Sequence, residues 1–177
     1  MSSDPFRPQK PSHITSVMGG LCALTATEAV ARLRAGEVTA AELVEASIAR
    51  IEEVDPKVNA LPIPCFDRAR DMARKLRPED HADNPKSLCG LPIAIKDYND
   101  VGGVRTTYGS PIFAQSVAAQ SDATVRQLER NGAIPMAKSN VPEWAGGNTF
   151  NPIFGATRNP WDLRMSVGGS SGGSAAA

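Results

Sequence analysis

Gly90-Leu91-Pro92-Ile93-Ala94-Ile95-Lys96-Asp97 is the stretch that decides how this chain folds. Leu91 to Ile95 is a short apolar run, the pattern of a buried strand. Downstream, Asp122 to Asn131 has the pattern of a helix closed by Gly132, and Ile134 to Ala137 that of a second strand. Strand, helix and strand in that order form a crossover unit in a mostly parallel sheet, so the fold class is α/β. Reactive groups of such sheets collect at the carboxyl ends of the strands. Lys96 stands at such an end.

Upstream the pattern is helical. Thr25-Ala26-Thr27-Glu28 is a capping box, and the helix it opens should stop near Gly36. Thr39-Ala40-Ala41-Glu42 repeats the device, and Val44, Ile48 and Ile51, widened by Leu43 and Val54, form an amphipathic stripe. Asp55-Pro56 is expected to end that helix. A third helix, about Asp67 to Leu76, has Ala69, Met72, Ala73 and Leu76 on one face. Residues 77–87 are polar and proline-punctuated, as a surface connection is. The organisation expected is a flexible arm over residues 1–20, a helical region over 21–86 and an α/β core from 87 to 177.

Composition removes several classes. The 19 basic and 19 acidic residues cancel, which leaves no electrostatic footprint for nucleic acid or an acidic membrane. No apolar run approaches the roughly 20 residues that span a bilayer, and the Met-Ser-Ser-Asp-Pro start has no secretory signal. Cys22, Cys65 and Cys89 are widely spaced and form no metal-ligand pattern. Reduced thiols in a cytoplasmic protein are the expectation.

Two segments carry candidate chemistry. Lys96 is either a solvated strand-end lysine or a base desolvated in a pocket. Gly102-Gly103 follows it in a flexible loop, and Thr106-Thr107 supply hydroxyls. The second segment is Gly168-Gly169-Ser170-Ser171-Gly172-Gly173-Ser174-Ala175-Ala176-Ala177. It is either a flexible Gly/Ser turn or a reactive loop entering a helix. Gly168 to Gly172 satisfies G-x-S-x-G, but His13 and His81 lie far upstream, so the acid-then-histidine order of an α/β-hydrolase triad is not available. No serine has a lysine three positions on, and the lysine of a phosphate loop is missing. The alanines begin a helical turn at the end of the chain, so the expectation is the front part of a longer enzyme.

These segments resemble the amidase signature family of Ser-Ser-Lys amide hydrolases. The likeness continues through Ser121-Asp122-Ala123-Thr124-Val125, Gly132-Ala133-Ile134, Lys138-Ser139-Asn140-Val141-Pro142-Glu143 and Asn151-Pro152-Ile153-Phe154-Gly155-Ala156-Thr157-Arg158-Asn159-Pro160-Trp161. It implies the N-terminal part of the amidase signature fold, a mixed sheet sandwiched between helices, truncated at residue 177. It also implies that Lys96 is the catalytic base and that Ser170, following a cis Gly169–Ser170 peptide, is the bridging serine. Gly169 and Ser171 would support the loop, Ser171 through hydrogen bonds. The family's nucleophilic serine lies later, in a Gly-Gly-Ser segment preceded by an acidic residue, and no such segment occurs within residues 1–177.

Further expectations follow from the resemblance. Backbone at Ala145, Gly146 and Gly147 would line the substrate pocket, although a plain turn after a helix begun at Asn140-Val141-Pro142-Glu143 is an equal reading. Arg158 to Asp162 would hold the catalytic loop by packing and hydrogen bonds. Asp97 would hydrogen-bond local backbone and Glu143 would take a helix N3 position. A small-molecule amide is the substrate expected, with no metal or organic cofactor, and a homodimer is compatible with the intact protein. The function implied is hydrolysis of a carboxylic amide through an acyl-enzyme, the 177-residue chain alone being inactive. The alternatives are the amidase subunit of an aminoacyl-tRNA amidotransferase and a truncated chain without catalysis. Asn99-Asp100-Val101-Gly102-Gly103 looks less like that subunit than like a free-standing amidase.

Overall fold

The computed structural model describes residues 20–77 and 83–177. The arm expected over residues 1–20 lies outside the described residues except for Gly20, as do positions 78–82 of the connection. Both capping boxes form. Thr25 Oγ1 accepts from Glu28 N at 3.2 Å while Glu28 Oε2 accepts from Thr25 N at 2.8 Å, and α1 runs Ala26–Ala35 to a left-handed Gly36. Thr39 and Glu42 repeat the geometry and open α2, Ala40–Val58. Each such cap is worth about 1 kcal/mol.

Helix α2 continues past Asp55-Pro56, contrary to the expectation that it stops there. In the last turn a proline forfeits a single hydrogen bond, so it does not end the helix by itself. Asn59 makes the stop instead. It is left-handed at φ 57°, and its N–H donates to the Asp55 carbonyl at 2.7 Å. The Asp55 carboxylate accepts from the Ala60 and Leu61 amides at 2.7 and 3.1 Å, which seals the exit from the helix.

The strand expected over Leu91 to Ile95 is β2, Pro92–Lys96, and the second is β3, Ile134–Ser139. They pair in parallel, connected by α4, Ala123–Arg130. The short β1, Ile63–Pro64, pairs antiparallel with the other edge of β3, so the sheet is mixed, in the order β1-β3-β2. Between β1 and β2 lies α3, Phe66–Lys75. Only Ile95 of β2 is fully buried, because β2 is the edge strand of this sheet, whereas every residue of β3 is buried. One face packs against α1, α2 and α3, through Leu33, Leu43, Val44, Ile48 and Ala69 against Ile134 and Met136. Ile95, Val101, Val104 and Val125 fill the opposite side.

A bulge sits in β3. Ile93 pairs with Pro135 but Ala94 pairs with Ala137, so Met136 is the extra residue. A one-residue insertion reverses the facing of every side chain beyond it. The C-terminal end of the sheet is therefore sorted by register: Lys96 beside Ser139 on one face, and Ile95 beside Lys138 on the other. Two hairpins follow, β4 (Phe150–Asn151) with β5 (Gly155–Ala156), and β6 (Arg158–Asn159) with β7 (Asp162–Ser166). The chain ends in α5, Gly172–Ala176. No described helix is long and apolar enough to cross a membrane.

Cys65 precedes α3 and its thiol donates to the Pro135 carbonyl at 3.5 Å. Burial pushes this thiol from its ordinary 9.0 up to about 11, with Arg68 and Lys138 opposing weakly. The folded state holds the proton that the unfolded chain releases, so the contribution is whole below pH 9.0 and lost as pH climbs to about 11. Denaturant unfolding of wild type and Cys65→Ala across that window should show a steeper loss in wild type. Parallel losses would contradict the burial assignment.

Candidate active site

At the C-terminal end of β2, Lys96 Nζ donates to Ser170 Oγ at 2.7 Å, and both side chains are half-buried. The Gly169–Ser170 peptide is cis. The sequence separates these residues widely, and the loop before α5 brings Ser170 to the end of β2.

The loop is held at several points. Thr149 donates its N–H to the Gly168 carbonyl at 2.8 Å, and its hydroxyl accepts from Gly172 N at 2.9 Å. Ser139 Oγ and Ser174 Oγ lie 2.6 Å apart. Gly173 N donates to the Asn140 carbonyl at 3.3 Å. Two glycines are required by close approach: a Cβ at Gly169 would overlap the Gly147 carbonyl oxygen, and one at Gly173 would overlap the Asn140 backbone. Asn140 is itself fixed, receiving Asn151 Nδ2 at 2.7 Å and donating to Thr157 Oγ1 at 3.0 Å. Thr157 in turn donates to the Asn59 carbonyl at 2.6 Å, tying the loop's support to the end of α2.

On the opposite face of the strand ends lies an ion pair. Lys138 Nζ meets Asp97 Oδ1 at 3.0 Å, with the two side chains 0% and 1% exposed. Lys138 also donates to Thr106 Oγ1 at 2.8 Å. Asp97 accepts the Thr107 amide at 3.2 Å and the Thr107 hydroxyl at 2.5 Å. Burial lowers the Lys138 ammonium from its ordinary value, and the Asp97 carboxylate opposes that shift. Thr106 and Thr107 thus serve Lys138 and Asp97, not Lys96 as the sequence pattern suggests. The reason is strand alternation, which turns residue 97 away from the face that residue 96 occupies.

Gly147 packs its carbonyl against Gly169, with Ala145 and Gly146 in the turn just before it. That turn does not follow an α-helix. Glu143–Ala145 is a single 3-10 turn, so Glu143 has no helical N3 role, and Trp144 at φ 50° leaves helical space at once. Trp144 is stacked on Tyr108 at 5.8 Å, and its N–H donates to the Tyr108 carbonyl, which holds the turn in that form. Asp97 does bond backbone, but its main partner is a lysine. The hairpin begun at Arg158 meets the loop through its second strand, where Ser166, the partner of Arg158, accepts from Gly168 N at 3.1 Å, while Trp161 at its tip is 78% exposed. Thr149, Asn140 and Gly147 add their contacts to that one. Ser171 is exposed with no side-chain cap bond; its carbonyl accepts from Ala175 N at 3.0 Å. Among the described residues no cluster of His, Cys, Asp and Glu could hold a metal ion.

The Amidase family profile matches residues 42–177. This chain belongs to the amidase signature family. A glutamyl-tRNA(Gln) amidotransferase subunit of Carboxydothermus hydrogenoformans is 39% identical over 155 residues, which cover 86% of this chain and 32% of that one. AmiB2 of Mycobacterium tuberculosis, which carries a provisional amidase name, is 46% identical over 158 residues, 88% of this chain and 34% of its own. The crystal structure of a bacterial aryl acylamidase of the amidase signature family superposes with a TM-score of 0.79 at 30% identity, over 86% of this chain and 32% of that one. The chain thus spans about a third of the length of the relatives it matches. The α/β fold is that of the corresponding part of amidase signature structures.

The residues that sequence reasoning missed are Lys138, Ser139, Thr149 and Ser174. A signal existed for the first two, since polar side chains continue directly from the apolar run Ile134 to Ala137. Substituting Lys138 by Met leaves Asp97 buried without its counter-charge and should cost about 3–5 kcal/mol of stability. Denaturant unfolding of the full natural protein measures it. The same protein also carrying Asp97→Asn should recover part of the loss.

Proposed function

We propose that this chain is part of an enzyme that hydrolyses a carboxylic amide through an acyl-enzyme, with Lys96 as base and Ser170 as proton relay. The 2.7 Å contact between Lys96 Nζ and Ser170 Oγ is the observation that carries the reading. An uncharged amine at that distance can accept the Ser170 hydroxyl proton while Ser170 oxygen takes one from an attacking serine hydroxyl. The attacking oxygen then bonds the amide carbonyl carbon. Reversal of the relay protonates the departing nitrogen as its bond to carbon breaks, and water, deprotonated by the same route, releases the acid. Gly147, with Ala145 and Gly146 beside it, would line the cleft next to this pair. The attacking serine would come from sequence beyond residue 177, so the activity belongs to the full natural protein.

A second reading is kept because an amidotransferase component is among the matching relatives. In it the same relay would release ammonia for a partner protein. Co-purification of a stoichiometric partner, with glutamine as the amide hydrolysed, would favour it over a free-standing amidase.

In the full protein, Lys96→Ala should lower kcat/KM by about 10²–10⁴-fold, the span of general acid–base contributions, and Ser170→Ala by as much or less. A serine-directed fluorophosphonate should leave residues 1–177 unlabelled and attach downstream. Labelling at Ser170 would reverse the roles assigned here.

A further inference from the structure

We infer that Ser139 and Ser174 form a second rung parallel to the Lys96–Ser170 contact, and that this hydroxyl pair is a positioning device for the relay serine. The inference rests on the proposed roles of Lys96 and Ser170. Lys96 and Ser139 are register partners at the ends of β2 and β3. Neighbouring strands lie about 4.8 Å apart, so their side chains leave the sheet side by side. Ser170 lies just before the Ser171 cap of α5 and Ser174 within its first turn, so one short stretch of chain carries both serines. Each strand end therefore reaches one of the two serines, at 2.7 Å for Lys96 to Ser170 and 2.6 Å for Ser139 to Ser174.

Two attachments do what one cannot. Thr149 and the Asn140 backbone anchor the loop at Gly168, Gly172 and Gly173, but at Ser170 itself the Lys96 contact alone fixes only a distance. The second contact, set off by one strand spacing, fixes the rotation as well. Ser139 is suited to this. It is fully buried, its carbonyl is already occupied by Asp97 N at 3.0 Å, and its hydroxyl has Ser174 as its partner. Its position is set independently of the loop, because Lys138 before it is held by Asp97 and Asn140 after it by Asn151 and Thr157. The loop is thus docked onto a preset hydroxyl. Such supporting contacts matter because small misplacement of a catalytic group costs rate out of proportion to stability.

The test is a double-mutant cycle in the full natural protein, read as kcat and KM separately on any amide it turns over. Ser139→Ala and Ser174→Ala should each lower kcat about tenfold with KM within about twofold, and the double variant should be no slower than the worse single one. Ser139→Thr, which keeps the hydroxyl, should restore most of kcat. A residue that only supported folding would lower the amount of active enzyme and the melting temperature together, leaving kcat per active site unchanged; titration of active sites with the fluorophosphonate separates these. If Ser139→Ala does not fold, the exposed partner Ser174→Ala carries the same kcat expectation. Unchanged kcat in Ser174→Ala, or additive losses in the double variant, would overturn the pair while Lys96→Ala remained inactive. Full activity in Lys96→Ala would instead overturn the relay on which the pair depends.

Discussion

The arrangement depends on two charges buried where water cannot reach them. Lys138 and Asp97 come from the ends of adjacent parallel strands, and each is the other's counter-charge in a site closed to solvent. Their pairing, with the hydroxyls of Thr106 and Thr107 completing the shell, joins β2, β3 and the loop after β2 into one unit. Everything on the opposite face uses that unit as its foundation. Lys96 is covalently next to Asp97 and Ser139 next to Lys138, so neither can shift along its strand without opening the ion pair behind it. The chemistry of the site is carried on one face, and its rigidity is supplied from the other.

Much of the fold was legible because local chemistry and global packing agree. Thr25 with Glu28, and Thr39 with Glu42, can do little else but cap helices, and the apolar stripe of α2 falls where burial requires it. What failed were rules applied to single residues. Pro56 reads as a stop, yet the stop is Asn59, assisted by an Asp55 carboxylate whose role depends on amides beyond the helix. Glu143 reads as the first turn of a helix, but Trp144 is drawn into a stack with Tyr108, a residue far away in the chain. The polar continuation of the run Ile134 to Ala137 marks Lys138 but does not name its partner, because Asp97 is distant in sequence. The site divides the same way. Lys96 and Ser170 were reachable through resemblance, whereas the pairing of Ser139 with Ser174 becomes visible only when the register of β3 is known.

The loop before α5 achieves order without large side chains. Its glycines let backbone approach backbone at Gly147 and Asn140, and the hydroxyl of Thr149 closes the gap from the other side. Few rotamers have to be frozen for such a contact, which limits the entropic cost of holding a reactive serine still. Its stiffness is borrowed from Asn140, Asn151 and Thr157, whose mutual hydrogen bonds are satisfied away from the reacting atoms.

The bulge at Met136 has a bearing on how this part of the molecule can diverge. Side-chain identity at the ends of β2 and β3 means little without the count of residues leading up to them. Gain of one residue between Met136 and Lys138 would exchange the facing of Lys138 and Ser139, presenting an ammonium to the serine loop and a hydroxyl to the Asp97 carboxylate. No single substitution repairs that, since both faces fail together. Length is therefore as strictly constrained in β3 as composition is, while the exposed hairpin carrying Trp161 is free of that constraint. Indels in descendants of this sequence should collect in the hairpin and be purged from the strand.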